Sequence, residues 1–224
     1  MRRFIRDNSL TLVFAVGFLV ILLGQAVAGR AEFNEQLVVD GLAPLSFGSY
    51  VMSSDFAVDV TENWQSEYLQ FFLYIFGTVY LLQRGSPESK EIHKAGVESE
   101  KDQQMGEHAR SDSPRWASTG DWRQAVFSRS LGLVMASLFF LSWLAQSIAG
   151  VAAYNEQSLR QLQAPIGWPE YLISADFWSR SLQNWQSELL AVASMAILSV
   201  YLRQRGSPES KPVGTPHTAT GIES

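Results

Sequence analysis

Asn63-Trp64-Gln65-Ser66-Glu67 stands at the head of an apolar run and returns unchanged as Asn184-Trp185-Gln186-Ser187-Glu188. At the far end of that run, Gln83-Arg84-Gly85-Ser86-Pro87-Glu88-Ser89-Lys90 returns intact as Gln204–Lys211. Both pairs are separated by 121 positions (63 to 184, 83 to 204). At that offset Leu10–Lys90 aligns with Leu131–Lys211 without a gap, and 36 of 81 positions are identical. A repeat this long is the unit of the fold and has to be read before any local pattern.

Each copy carries two apolar stretches. They are Leu10–Ala28 and Tyr68–Leu82 in the first copy, Leu131–Ala149 and Leu189–Leu202 in the second. Crossing the hydrocarbon takes about 20 residues, or roughly 17 at the short end. The second stretch of each copy reaches that length when counted from Trp64 and Trp185. Each then has a Trp at one end and a Tyr (Tyr80, Tyr201) near the other, as amphipathic rings at the two membrane interfaces favour. The expected fold is therefore all-α and integral to the membrane, with four transmembrane helices from two tandem parallel-repeat helical hairpins. The expected units are a first hairpin at 1–90, a flexible cytoplasmic linker at 91–120, a second hairpin at 121–211 and a disordered tail at 212–224.

Charge sets the orientation. Of 17 Lys and Arg, 14 lie in the N-terminus, the middle loop and the tail; Arg30, Arg160 and Arg180 alone lie in the loops within the hairpins. Basic residues stay on the cytoplasmic side. Both termini are expected there, and both copies insert the same way up, related by an axis along the membrane normal. The basic start, apolar core and Ala26-Val27-Ala28 also resemble a secretory signal. The equivalent Gln146–Gly150 lies mid-chain, so the first span is expected to stay uncleaved.

The loops within the hairpins are patterned. Helix continues past the first span through Glu32–Leu42 to Pro44, and through Ala153–Gln163 to Pro165. Asn34-Glu35-Gln36 recurs there as Asn155-Glu156-Gln157. An aromatic turn follows, with Phe47/Trp168 and Tyr50/Tyr171 placed for the headgroup layer. Ser53-Ser54-Asp55 and Ser174-Ala175-Asp176 then read as N-caps. A helix over Asp55–Gln83 would be about 43 Å long, more than a bilayer core, so the helices are expected to extend into an outer-face cap. Gly85 and Gly206 suit a helix C′ position. Ser86-Pro87-Glu88 and Ser207-Pro208-Glu209 read as the start of a further helix.

Function is less legible. With no cysteine there is no thiolate metal site, disulfide or cysteine nucleophile. His93, His108 and His217 lack zinc spacing, and no phosphate loop or nucleophile elbow occurs. The residues point away from an enzyme, a resident metal and any cofactor. A net charge of -5 points away from nucleic acid.

Ionisable residues at the membrane boundary default to a functional hypothesis. Asn63 and Glu67 share a helix face, as do Asn184 and Glu188. With Gln25 and Gln146 they form a candidate polar cluster on the pseudo-axis, suited to a cation or proton. The alternative is interhelical hydrogen bonding that fixes register. Trp64 and Trp185 are expected as interface anchors. Arg84, Lys90, Arg205 and Lys211 form a candidate cytoplasmic docking patch for a protein or anionic headgroups. The leading reading is a non-catalytic scaffold or interaction protein of the bacterial inner membrane. Its partners would be the bilayer, a cytoplasmic protein or a second copy. A small cation or proton channel or carrier is the alternative.

The Asn-Trp-Gln-Ser-Glu element, the apolar helix after it and the Arg-Gly-Ser-Pro-Glu-Ser-Lys exit together resemble a family of bacterial integral membrane proteins of unknown function. The resemblance covers both copies. It implies a membrane location and brings no activity with it.

Overall fold

A computed structural model describes residues 2–221; Met1 and 222–224, the end of the expected disordered tail, lie outside the described residues. Those residues form eight α-helices and no strand. They are α1 (Arg2–Asp7), α2 (Ser9–Val39), α3 (Phe47–Val51), α4 (Ser54–Tyr80), α5 (Trp122–Phe127), α6 (Ser130–Arg160), α7 (Trp168–Tyr171) and α8 (Ala175–Tyr201). Adding 121 to the bounds of α2 gives those of α6, and adding it to α4 gives α8. The sequence identity is thus matched by the same helix starts and stops.

Helix starts follow the expected chemistry. The Ser53 hydroxyl accepts the Phe56 N–H at 3.3 Å, and Ser174 accepts that of Phe177 at 3.2 Å. Each is a cap that satisfies a first-turn donor. Asp121 caps α5 by accepting from Arg123 N–H at 2.9 Å. Helix ends differ from expectation. α4 and α8 stop at Tyr80 and Tyr201, before Gly85 and Gly206, and no helix follows Ser86 or Ser207. The linker carries only short 3-10 turns at Ile92–Lys94, Gly106–His108 and Arg115–Ser118.

Two helices, α2 and α6, are long and apolar enough to cross a membrane. α2 buries only Ala26, Phe33 and Leu37, all in its C-terminal half. Its first half is apolar all round and exposed within the chain, as a lipid-facing helix would be.

The chain divides into two compact units, Met1–Thr61 with Ala145–Phe177, and Glu62–Leu144 with Trp178–Ser224. The first has a small core of Phe33, Leu37 and Tyr50, with Leu45 and Phe56 against it. Tyr50 and Tyr171 are buried, so their rings are core and not headgroup anchors. Two glycines make room for them. A Cβ on Gly29 would strike the Tyr50 hydroxyl, and one on Gly150 that of Tyr171. The second unit is built on the aromatic rings described below.

Candidate functional site

The Asn-Trp-Gln-Ser-Glu elements lie in the second unit, on α4 and α8, and they bond to each other. The Trp185 indole N–H donates to Gln65 Oε1 at 2.7 Å. The Ser66 hydroxyl lies 3.5 Å from Glu188 Oε1, and one residue before the first element Arg180 reaches Glu62 at 3.0 Å. The two copies contribute different faces. Within the α4 element Gln65 and Ser66 are fully buried, whereas Asn63 and Glu67 are exposed. Gln65 sits about 200° round the helix from Asn63, so the face shared by Asn63 and Glu67 cannot be the buried one. On α8 it is Asn184, Trp185 and Glu188 that are half-buried, and Gln186 is exposed.

The expected cluster is thus reached in part. Glu188 is held by Ser66, and its charge acts on Glu67. Asn184 Nδ2 donates within its own helix, to the Arg180 carbonyl at 2.9 Å. Gln25 and Gln146 belong to the first unit; Gln25 is half-buried and Gln146 fully buried. Neither amide atom of Gln146 has a hydrogen-bond partner, nor does Nε2 of Gln65. Among the described residues no group of three or more His, Asp or Glu is placed to hold a metal ion.

Trp64 is 40% exposed, but Trp185 turns into the protein. Its ring lies 5.6 Å from Trp143 and stands perpendicular to Trp178 at 6.3 Å. Trp143 stacks on Phe139 at 5.6 Å and donates its N–H to Ser181 at 3.2 Å. The first-copy equivalents of Trp143, Trp178 and Ser181 are Leu22, Ala57 and Val60. This aromatic cluster is therefore a property of the second copy alone. Sequence reading missed it because attention to identities hides what one copy has and the other lacks.

The octapeptides fold as the same turn twice. Gly85 and Gly206 take φ of 86° and 84°, a region that favours glycine. The Ser89 hydroxyl accepts Gln83 N–H at 2.9 Å, and Ser210 accepts Gln204 N–H at 2.9 Å. Ser86 and Ser207 accept the N–H of Glu88 and Glu209 at 3.3 and 3.2 Å. These bonds give Gly and both Ser positions a specific task.

The lysines also act inward. Lys90 donates to the Gly96 carbonyl at 2.9 Å and pairs with Glu98 at 3.0 Å. Lys211 is 1% exposed. Its Nζ lies within 2.5–3.3 Å of the carbonyls of Gly85, Pro216, His217 and Ala219. Burial pushes its ammonium below the ordinary lysine range. Of the four cations proposed for docking, the structure presents Arg84 and Arg205, both exposed, and withdraws Lys211.

In the first unit the Asn of each Asn-Glu-Gln element clamps the backbone N–H and carbonyl of the residue eleven positions on. Asn34 donates to the Leu45 carbonyl at 3.1 Å and accepts its N–H at 2.7 Å. Asn155 does the same to Ile166, at 2.9 and 2.8 Å. Arg160 then joins the two copies. It pairs with Glu156 at 2.5 Å, approaches Asp40 at 3.9 Å and lies over the Phe33 ring at 4.8 Å. Asp55 Oδ2 is buried there with no hydrogen-bond partner. Burial, and then the Glu156 charge, push the Asp55 carboxyl above its ordinary range, against a downward pull from Arg160.

Residues 1–222 match the model of a domain of unknown function, DUF6766. No curated protein and no solved structure matches the chain.

Proposed function

The chain belongs to the DUF6766 family, and from its own geometry we propose that it is a non-catalytic interaction protein of the bacterial inner membrane. In this reading four helices span the bilayer as two tandem hairpins. Both termini are cytoplasmic and the helix extensions form an outer cap. α2 and α6 are the first spans of each hairpin, and α4 and α8 cross from Trp64 and Trp185. One observation carries the interaction reading. The polar residues common to both copies hold the fold: Asn34 and Asn155 clamp backbone, Gln65 and Glu188 bond across α4 and α8, and Ser89 and Ser210 lock turns. What is left presented on the cytoplasmic side is a pair of arginines on matching turns. Such a pair suits an acidic protein segment or anionic headgroups.

The nearness of Glu67 and Glu188, with an unpartnered amide nitrogen on Gln65 in the same unit, supports a second reading as a small proton or cation path. Purified protein in liposomes separates the two. An interaction protein leaves imposed proton and potassium gradients decaying as in protein-free vesicles. A leak that disappears in Glu67→Gln/Glu188→Gln would replace the first reading with the second.

A further inference from the structure

The tail after Lys211 is held by a set of contacts that a sequence without apolar pattern gives no reason to expect. Thr220 Oγ1 accepts the Gly85 N–H at 2.9 Å, and the Gly221 N–H donates to the Ser86 carbonyl at 3.1 Å. Arg203 donates to the Thr215 carbonyl at 3.1 Å. His217 Nδ1 lies 3.0 Å from the Val200 carbonyl. Lys211 gathers three tail carbonyls and that of Gly85. The last two arrangements echo the first copy. There Lys90 takes the carbonyl six residues on, at Gly96, and Gly96 N–H satisfies the Val79 carbonyl at 2.7 Å. Lys211 likewise takes the carbonyl six residues on, at His217, and Val79 and Val200 are equivalent positions. Each octapeptide therefore captures the segment that follows it.

The second capture goes further, because the captured segment also lies on the other octapeptide. A Cβ at Gly85 would strike the His217 carbonyl, whereas Gly206 faces open space. The contact buries no large apolar side chain of the tail; Val213 is 63% exposed. It rests on hydrogen bonds and on the His217 ring beside Tyr201 at 5.7 Å, the scale of a reversible contact and not of a core.

We propose that residues 212–221 are a removable latch, a docked peptide that covers Gly85 and Ser86 of the first octapeptide turn while Arg205 and Gly206 on the second stay presented. The latch regulates the cytoplasmic face to which the interaction reading assigns partner binding, and only that consequence rests on the reading. Release bares Gly85 and Ser86 beside Arg84, which is exposed even with the tail docked, so that the first turn presents backbone as the second already does at Gly206. The docked segment folds as two successive turns, with the Thr215 N–H on the Pro212 carbonyl at 2.9 Å and the Ala219 N–H on the Pro216 carbonyl at 3.2 Å, and it has no Asp, Glu, Lys or Arg, so the receiving site selects backbone and hydroxyl groups, not a charged motif.

The test is amide hydrogen exchange on the full chain in detergent, wild type against Thr220→Val/Gly221→Pro. This pair removes the acceptor for Gly85 and the donor to Ser86 and touches nothing in the helices. The latch predicts at least tenfold faster exchange at Gly85, with α4 and α8 unchanged. It also predicts that a synthetic peptide of residues 212–221, added in trans, restores protection. Unchanged Gly85 exchange would overturn the proposal. So would faster exchange spread through α4 and α8, or failure of the peptide to restore protection, because the tail would then be part of the fold. None of these readouts needs a partner, so failure of the interaction reading would leave them standing.

Discussion

Asn34 and Asn155 show what a single side chain does here. Each bonds both the backbone N–H and the carbonyl of one residue, just past Pro44 or Pro165. Asn155→Ala leaves the Ile166 N–H and carbonyl without the Asn partner, whereas Asn34→Ala strands the Leu45 N–H but leaves its carbonyl the Arg30 Nε donor at 2.9 Å. Each is expected to cost about 1–3 kcal/mol, seen as a lower melting temperature in mild detergent. An unchanged melt would mean the clamp is redundant. Gln146 is the opposite case, a buried amide without partners. Gln146→Met keeps volume and removes the desolvation penalty, so it is expected to gain about 1–3 kcal/mol of stability and to melt higher. A lower melt would show that the amide holds something in solution.

Asp55 links this accounting to pH. Its carboxyl is raised when folded, so the folded state holds the proton more tightly than the unfolded chain. Stability from this group is thus present at low pH and is lost as pH rises from the ordinary Asp value through the raised one. At neutral pH the buried charge is a net cost. Asp55→Asn should raise the melting temperature near pH 7, and the gain should vanish as pH falls below the ordinary Asp range. A gain that persists in acid would assign it to packing instead.

These residues also mark how far sequence reading reached. The identity of Asn-Glu-Gln, of the octapeptides and of Asn-Trp-Gln-Ser-Glu flagged the positions that matter. Their partners were not legible, because most are backbone groups, which leave no letter in a sequence. Lys211 was read as a docking cation since its charge is visible and the four carbonyls around it are not. Glu67 drew attention over Gln65 because a carboxylate in an apolar run stands out. The rotation of α4 that buries Gln65 is fixed by tertiary packing.

At the scale of elements, helix starts were more legible than helix ends. The serine caps at Ser53 and Ser174 follow from local chemistry. The ends at Tyr80 and Tyr201 do not, because Ser89 and Ser210 take the N–H groups of Gln83 and Gln204 in a turn that competes with further helix. Packing within the first unit is set by small residues under large rings. Gly29→Ala and Gly150→Ala should each destabilise, since the added Cβ meets the Tyr50 or Tyr171 hydroxyl. Tyr50→Phe and Tyr171→Phe remove that oxygen and should each recover part of the loss in the matching double variant. Gly17→Ala and Gly24→Ala serve as controls. Their Cβ positions face open space, and helix propensity favours Ala by about 1 kcal/mol. If all four glycine variants melted alike, the ring contact would not be what those glycines are for.

At the scale of the whole molecule, the account turns on whether α4 and α8 cross the bilayer as α2 and α6 are apolar enough to do. The two possibilities put the same loops on opposite sides. With four spans and a cytoplasmic N-terminus, the linker is cytoplasmic and the loop after α6 is outside. With α2 and α6 as the only spans, the linker is outside and the loop after α6 is cytoplasmic. The chain has no cysteine, so a single introduced thiol reports without background. Ser111 and Leu162 are both exposed and lie in those two loops. The decisive measurement is labelling of Ser111→Cys and Leu162→Cys in intact cells with a membrane-impermeant maleimide, before and after permeabilisation. Four spans predict that Leu162→Cys labels at once and Ser111→Cys labels only after permeabilisation. The reverse pattern would contradict the tandem hairpins, and with them the cytoplasmic placement of both octapeptide turns.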